Sequence, residues 1–462
     1  MLRQSIERIV WIQLLLCTLS ALAKAPIPIE APPIIPRSVL FGEDDDDKSN
    51  VRLSPDGTML GYCAPHEGVM NIWIQPLDQV LDGRKTAKPV TFDKKRGIRS
   101  FSWTYLPGLI LFGQDNDGDE NLRLWKLNVT GVVNEPVVVS DTPGVQARLR
   151  AVSPKHPETI ILALNDRDKR YHDLYTVDLL TGEKKLCFEN PDYRSFVFDN
   201  DMKLRLATKE NEEGAVEFFK AIYADGIIAS WESYRNITFE DKDTTRVVGF
   251  DKESKNLYWI DADGYDLGTL IVHPFEDPSK KTEIFTPQKA EISTPFVHPV
   301  DYTVLAVTEN YKRSHTYIIN KTIEADFSYL RSQEQVDDIF VHQVSEDFDK
   351  WIVLYNFDNA PAKYYFYDRK AQQATFLFVN RPKLIDLKLS RMHAVEIVTR
   401  DELTQLCYLS LPVESDPFEV GLPQEPLPMV LSVHGGPWMR DYWGMLRGVQ
   451  HFTNRGYAVL QV

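Results

Sequence analysis

The chain has 462 residues, 43% of them hydrophobic, and a formal net charge of −15 at pH 7. That length holds two or three domains, each with an apolar core of its own. The acidic balance argues against nucleic acid as a partner, because a polyphosphate wants a basic surface.

Arg3 and Arg8 precede an apolar run over 9–22, and Ala21-Leu22-Ala23 is a small-x-small cleavage pattern. Together they read as a signal peptide over 1–23, so the expected product is secreted or periplasmic and starts at Lys24. The run is short for a bilayer span, which leaves a retained anchor as the competing reading. No later segment is apolar enough to cross, so no membrane contact is expected after cleavage. Cys17 lies in the signal and lacks the small preceding residue that lipid attachment wants. Cys63, Cys187 and Cys407 are too widely spaced to be a disulfide framework; one bridge at most could form, and none is expected. Three glycosylation sequons begin at Asn128, Asn236 and Asn320, and they matter only in a eukaryotic host.

Residues 24–50 form an N-terminal extension. Its first half, APIPIEAPPIIP, is Pro-rich and should be extended rather than helical. Its second half carries the acidic block GEDDDDK, which reads as a solvated loop and resembles an enteropeptidase cleavage sequence.

From Val51 the character changes to short apolar runs separated by Gly, Asp, Asn and Pro. VRLSPDGTMLGY is the clearest opening, with Pro55-Asp56-Gly57 as a turn between two strands. Similar openings recur near Ile98, Val145, Arg194, Thr245, Ile292 and Asp338, at spacings of 47, 47, 49, 51, 47 and 46 residues. Each unit holds about four strand-like runs. In the second, Phe101, Trp103 and Tyr105 alternate with Ser102 and Thr104, the period of a strand. A repeat of that length with four strands predicts a propeller, and the count predicts seven blades over 51–380. The segment 323–335 is the exception, a helical turn or a long loop. DNDGDEN at 115–121 invites a calcium reading, but its Gly118 is the fourth residue where an EF-hand loop needs a sixth, and strands flank it. A hairpin turn is the expectation there and for DADGYD at 261–266.

After residue 380 the repeat stops. The segment 393–412 reads as a hairpin. A Pro-rich stretch then leads to PLPMVLSVHGGPWMRDYWG, where an apolar strand ends in His434, Gly435, Gly436 and Pro437. The segment 441–454 reads as a helix, with Met445, Val449 and Phe452 on one face, Asp441 as its cap and Gly456 past its end. A second apolar run over 457–462 completes strand–loop–helix–strand, the unit of a parallel sheet.

The segments HGGPWMRDYW and NRGYAVLQV, with DNDGDENLRLW and NDRDKRYHDLYTVDLLTGE before them, resemble the prolyl oligopeptidase family of serine peptidases, in particular its acylaminoacyl-peptidase and dipeptidyl-aminopeptidase branch. The resemblance covers nearly all of the chain after the signal, and the HGG segment is its most specific part. It implies an all-β seven-bladed propeller followed by the first strands of an α/β-hydrolase domain, 381–462. It also implies hydrolysis of short peptides, with the propeller gating access. One departure is Arg400-Asp401-Glu402, where the family usually has Gly after the Asp. In such hydrolases the HGG loop supplies a backbone donor to the oxyanion hole, which makes His434, Gly435 and Gly436 the oxyanion-loop candidates. His434 is expected to orient the loop, and Ser432, inside a strand, is not expected to be a nucleophile.

The family's Gly-x-Ser-x-Gly elbow is not found. Glycines four apart bracket Met59, Asp266 and Leu446, and none of the three is Ser. The expectation is therefore a chain cut within the catalytic domain and inactive by itself, with no catalytic triad residue. The alternative is a non-catalytic propeller that binds peptides or a protein partner. The His and Cys show no metal spacing and no Gly-rich phosphate loop is present, so no metal and no cofactor is expected. A short peptide is the expected substrate, and a homo-oligomer is left open.

Overall fold

The computed structural model describes residues 30–42, 46–130, 135–140, 142–336, 338–436 and 438–462. The signal segment 1–23, the first part of the Pro-rich stretch, part of the acidic block and Pro437 lie outside the described residues. The chain divides into two compact units, Gly42–Ile385 and Met1–Phe41 with Asp386–Val462.

Among its described residues the larger unit holds seven antiparallel sheets in chain order, spanning 49–89, 101–138, 147–188, 195–237, 246–285, 296–318 and 339–379. Each has four strands except the sixth, which has three. The recurring turn motif of the sequence closes the first hairpin of several sheets. Asp56 accepts the N–H of Thr58 (3.0 Å) and the hydroxyl of Ser54 (2.5 Å), and Gly57 takes φ +66°. Asp199 accepts the N–H of Asp201 (3.0 Å) and Lys203 (2.9 Å), and Asp251 that of Lys255 (2.7 Å) and Asn256 (3.0 Å). A short acidic side chain that caps its own following amides is what makes Asp a turn residue.

Burial grades across each sheet. In the third, residues 160–164 of the inner strand Thr159–Asp168 are all buried, whereas the last strand, Lys184–Phe188, is exposed at its first four residues. The first strand of the first sheet, Ser49–Leu53, approaches both Phe101–Trp103 and Ile339–Val344, the first strands of the second and seventh. No sheet covers its own faces. Ile72 and Cys63 of the first sheet share a core with Phe101 and Ile110 of the second, and Leu109 and Leu111 of the second pack with Leu162 and Val177 of the third. The series returns on itself, since Val51, Leu60 and Tyr62 of the first sheet pack with Ile352, Tyr364 and Phe366 of the seventh. Backbone bonds join the same two sheets, from Lys48 N–H to the Asn380 carbonyl (3.0 Å) and from Glu346 N–H to that of Pro55 (2.6 Å).

The segment around 323–335 is helical. A 3-10 turn, Lys321–Ile323, capped by the Asn320 side chain, leads into Glu324–Arg331. The helix buries Ile323, Phe327 and Leu330 against its sheet neighbours. Its buried Asp326 accepts the Tyr367 hydroxyl (2.8 Å) and Arg369 Nε (2.8 Å). Both acidic segments, 115–121 and 261–266, lie in the turns of strand pairs, with Gly118 and Gly264 at positive φ. Cys63, Cys187 and Cys407 carry free thiols.

The smaller unit has one sheet, in the spatial order Met392–Val398, Thr404–Ser410, Ala458–Gln461, Met429–Ser432. The last two are parallel, with Met429 opposite Ala458 and Ser432 opposite Gln461. The other pairs are antiparallel. The connecting helix is Arg447–Thr453, not 441–454. Trp443 explains the late start: it is 6% exposed, and its indole N–H donates to the Met392 carbonyl (3.2 Å), which holds the preceding residues in an irregular path. Leu446, extended, stands at the N-cap in place of Asp441, and the buried face carries Val449, Gln450 and Thr453, with Met445 outside the helix. Gln450 clamps Ser390 from both sides, accepting its N–H (2.8 Å) and donating to its carbonyl (2.9 Å).

Residues 30–41 belong to this smaller unit, so 24–50 is not one separate extension. Ile35 N–H donates to Asn454 Oδ1 (2.6 Å), Asn454 returns a bond to the Pro33 carbonyl (3.1 Å), and Arg455 holds the Ile35 carbonyl (2.9 Å). Ile35 and Leu40 are buried, and the short helix Arg37–Phe41 sets Phe41 edge-on to His451. Residues 49 and 50 already belong to the first sheet of the larger unit.

One buried carboxylate organises the three-stranded sixth sheet. Glu309 accepts the N–H groups of Gln288 (2.9 Å), Lys289 (2.7 Å) and Ala290 (3.1 Å) and the hydroxyl of Tyr317 (3.0 Å). Burial alone would push its carboxyl up, but these donors outweigh it and hold the pKa below the ordinary 4.5. The ionised form is therefore favoured by folding. Its contribution is complete above the unfolded-state pKa and is lost as pH falls through the lowered folded value. Glu309→Ala, which strands three amides, that of Ala290 buried, should cost about 2 kcal/mol in a urea titration at pH 7. The gap between variant and parent should narrow as the titration is repeated below pH 4.5.

Candidate functional site

The strand Met429–Ser432 is short, apolar and parallel to its one neighbour, a pairing extended by Val462 N–H donating to the Ser432 carbonyl (3.1 Å). It stands at the edge of its sheet, with Met429 55%, Leu431 56% and Val433 66% exposed. These apolar side chains are thus uncovered among the described residues. Ser432 lies half-buried within this strand, where no turn presents its hydroxyl.

The loop begins where the strand stops. His434 Nδ1 donates back to the carbonyl of Gly435 (2.8 Å), so the ring lies against its own loop. Gly435 and Gly436 are exposed, and neither N–H is hydrogen-bonded among the described residues. The two glycines answer different demands. A Cβ on Gly435 would meet open space. Gly436 has φ +143°, and a Cβ there would fall 2.8 Å from the backbone nitrogen of Trp438. Only a residue without a side chain turns the chain so sharply. Trp438 and Met439 follow on the surface, 74% and 65% exposed. Two unspent amide donors on a turn at the C-terminal end of a parallel strand can bind an anion or an oxygen that acquires negative charge.

Sequence reasoning passed over a second constellation. In the larger unit a cavity of about 660 Å³ lies between the third and fourth sheets, lined in part by Arg148, Arg150, His172 and Arg194. The available sign was the pair of arginines two apart in RLRAV, at the start of the third repeat. Burial first, and then the charges of Arg148 and Arg150, push the His172 pKa down to about 4. No group of three His, Cys, Asp or Glu side chains among the described residues could hold a metal ion, and no helix there is long and apolar enough to cross a membrane.

No protein-family model matches the chain. It is 34% identical over 453 residues to dipeptidyl peptidase family member 6 of Caenorhabditis elegans, covering 93% of this chain and 60% of the relative. It is 35% identical over 460 residues to dipeptidyl aminopeptidase BIII of Pseudoxanthomonas mexicana, covering 97% and 65%. The chain thus spans less than two thirds of the length of these curated relatives. Among solved structures, it is similar to a puromycin-hydrolysing peptidase of Mycobacterium tuberculosis, with TM-score 0.63, 14% identity and coverage of 95% of this chain and 69% of the other. It is also similar to a post-proline cleaving enzyme from Rickettsia typhi, with TM-score 0.60, 12% identity and coverage of 92% and 65%. At these identities the structural likeness concerns the fold alone.

The two glycines should respond differently to substitution. Gly436→Ala must displace the turn and should cost about 1 kcal/mol or more, with a shift in the emission of the neighbouring Trp438. Gly435→Ala should stay within about 0.5 kcal/mol. Equilibrium denaturation followed by tryptophan fluorescence checks both, and equal costs at the two positions would refute the assignment.

Proposed function

Because this chain belongs to the prolyl oligopeptidase family of serine peptidases, we propose that it supplies the propeller and the oxyanion loop of an exported peptidase that hydrolyses short peptides. The carrying observation is the pair of unspent N–H groups at Gly435 and Gly436, on an exposed turn at the end of a parallel strand. When a serine oxygen attacks a peptide carbonyl, the carbonyl oxygen becomes an oxyanion. A backbone N–H about 3 Å away stabilises that charge by a few kcal/mol and needs no reorganisation. The loop is fitted to that task by His434, whose ring occupies the Gly435 carbonyl and leaves the amides as the groups on offer.

The seven sheets are read as seven blades of a closed ring. Support comes from the core that the first and seventh share, and from the strand Ser49–Leu53 approaching the first strands of the second and seventh sheets. A ring with a narrow central channel admits short peptides and turns folded proteins away, which is how the propeller gates access. Oxyanion donors act only on charge that a nucleophile creates, so the triad Ser, Asp and His must come from outside the segments described.

A second reading is favoured by one observation, the lack of a Gly-x-Ser-x-Gly elbow within these 462 residues. On that reading the chain is a non-catalytic propeller that binds peptides or a protein partner. Sequencing the locus past the codon for Val462 separates the two, since an in-frame elbow supports the peptidase and a stop codon supports the binding module.

The purified 462-residue chain should not be labelled stoichiometrically by a fluorophosphonate probe and should not turn over aminoacyl or peptidyl chromogenic substrates. Labelling of any serine in it would refute the assignment of the loop as an oxyanion element without a nucleophile. Export makes a separate prediction: mass spectrometry of secreted or periplasmic material should find Lys24 at the N-terminus, and an intact Met1 there would retire the signal peptide.

A further inference from the structure

The cavity between the third and fourth sheets is charged against the trend of the molecule. In a chain of net charge −15, it is lined by six cationic side chains and two carboxylates. Both carboxylates are already engaged, Asp192 with Lys209 (2.5 Å) and Glu210 with Arg194 and with Lys242 (3.2 Å). Lys169 donates to the Gly144 carbonyl (2.8 Å), and Arg170 pairs with Asp168 (2.8 Å). Arg148 and Arg150 remain. Arg148 gives only its Nε, to Gln146 (2.8 Å). Arg150 makes no hydrogen bond or ion pair among the described residues, and its Nε is buried without a partner.

The backbone places Arg150 there. On the strand Ala147–Val152, Ala151 pairs with Ile161 and Leu149 with Leu162, so Arg150 is the extra residue of a β-bulge. A bulge breaks the alternation of a strand and re-aims the side chain it carries. The neighbouring His172 Nε2 is also buried and unpartnered, and this imidazole is neutral at pH 7. The exposed Arg148 and the partly desolvated Arg150 thus face one cavity as a pair whose lining carboxylates are engaged elsewhere. Such a pair opposes folding unless an anion relieves it.

We propose that this cavity binds a carboxylate of a peptide, with Arg148 and Arg150 as the pair that receives it. The choice of a peptide rests on the peptidase reading above; the choice of an anion rests on the charges alone. The planar guanidinium fork fits a carboxylate through two parallel N–H bonds. A volume near 660 Å³ is in the range of sites that hold a small organic ligand, and Tyr193 and Phe196 supply apolar wall. The strand that carries the arginines is the first of its sheet and lies at its edge. The carboxylate comes from the peptide's C-terminus or from an acidic side chain.

Titration calorimetry on the intact 462-residue chain tests this without requiring hydrolysis, so the result stands whether or not a serine is ever labelled. The probes are Ala-Ala-Phe as the free acid, its C-terminal amide, the amide of Ala-Asp-Phe, and inorganic phosphate. The free acid should bind, more weakly as salt rises, and the amide at least tenfold more weakly than the acid. Arg150→Met should lose at least tenfold for the acid, and Arg150→Lys, which keeps the charge without the fork, should recover part of that. Binding of the aspartyl amide to match the acid assigns the acidic side chain as the source; its failure to do so assigns the C-terminus. Arg150→Met removes an unpartnered cation, so its melting temperature should not fall; if it does, Arg148→Met, at an exposed position, carries the same comparison. Equal affinity for acid and neutral amide, no loss in the arginine variants, or phosphate binding as tightly as the peptide acid would each overturn the proposal.

Discussion

The larger unit depends on one constraint: a four-stranded antiparallel sheet with two apolar faces cannot cover either of them alone. Cores among its described residues are therefore shared between neighbours, from Phe101 against Ile72 to Trp259 against Phe218. A linear stack would leave the outer faces of its first and last members in water. Here Ile352, Tyr364 and Phe366 of the seventh sheet meet Val51, Leu60 and Tyr62 of the first. The polar groups follow the same logic. Lys350 reaches from the seventh sheet to the Gly57 carbonyl (2.9 Å), and Arg52 from the first to Gln343 (3.2 Å). The helix that follows the three-stranded sixth sheet is tied to the seventh, its Asp326 binding the strand Lys363–Asp368 and its flank through Tyr367 and Arg369. Such arrays gain stability from each interface rather than from one central core.

The parts of this architecture that show in the sequence are those fixed by local chemistry. Asp56, Asp199 and Asp251 mark hairpins because a carboxylate two to five residues before an amide can cap it whatever the rest of the chain does. The repeated openings lie within about four residues of the first strands because the same turn recurs at a fixed distance from them. The parallel strand before His434 was legible for a similar reason, as an apolar run cut off by Gly-Gly. What sequence did not show depends on distant partners. The helix near the C-terminus starts at Arg447 because Trp443 is held by Met392, a residue 51 positions earlier. The membership of residues 30–41 in the smaller unit rests on Asn454 and Arg455, more than 400 positions away. The arginine pair was visible only as composition. Its place came from a bulge and from lining carboxylates that are engaged by other cations, and neither has a local sign.

The candidate loop shows how little side-chain chemistry an anion-binding element needs. The strand fixes where it starts, Gly436 fixes its turn, and His434 closes it from the inside. The groups it would offer are main-chain amides, which no substitution alters directly. For that reason the two glycines differ so much in their surroundings although they are adjacent, one set by sterics and the other open.

The smaller unit is discontinuous in sequence: its first segment ends at Phe41, and the rest begins at Asp386. On the ribosome this means a long wait. Ile35 and Leu40 leave the exit tunnel before any strand of the larger unit and find their partners only when Asn454 and Arg455 have been made. The larger unit has its own ends joined at Lys48 and Asn380, so it can close while the early segment is still unpaired. Synthesis order thus leaves an apolar tether exposed to chaperones until Asn454 and Arg455 have been made.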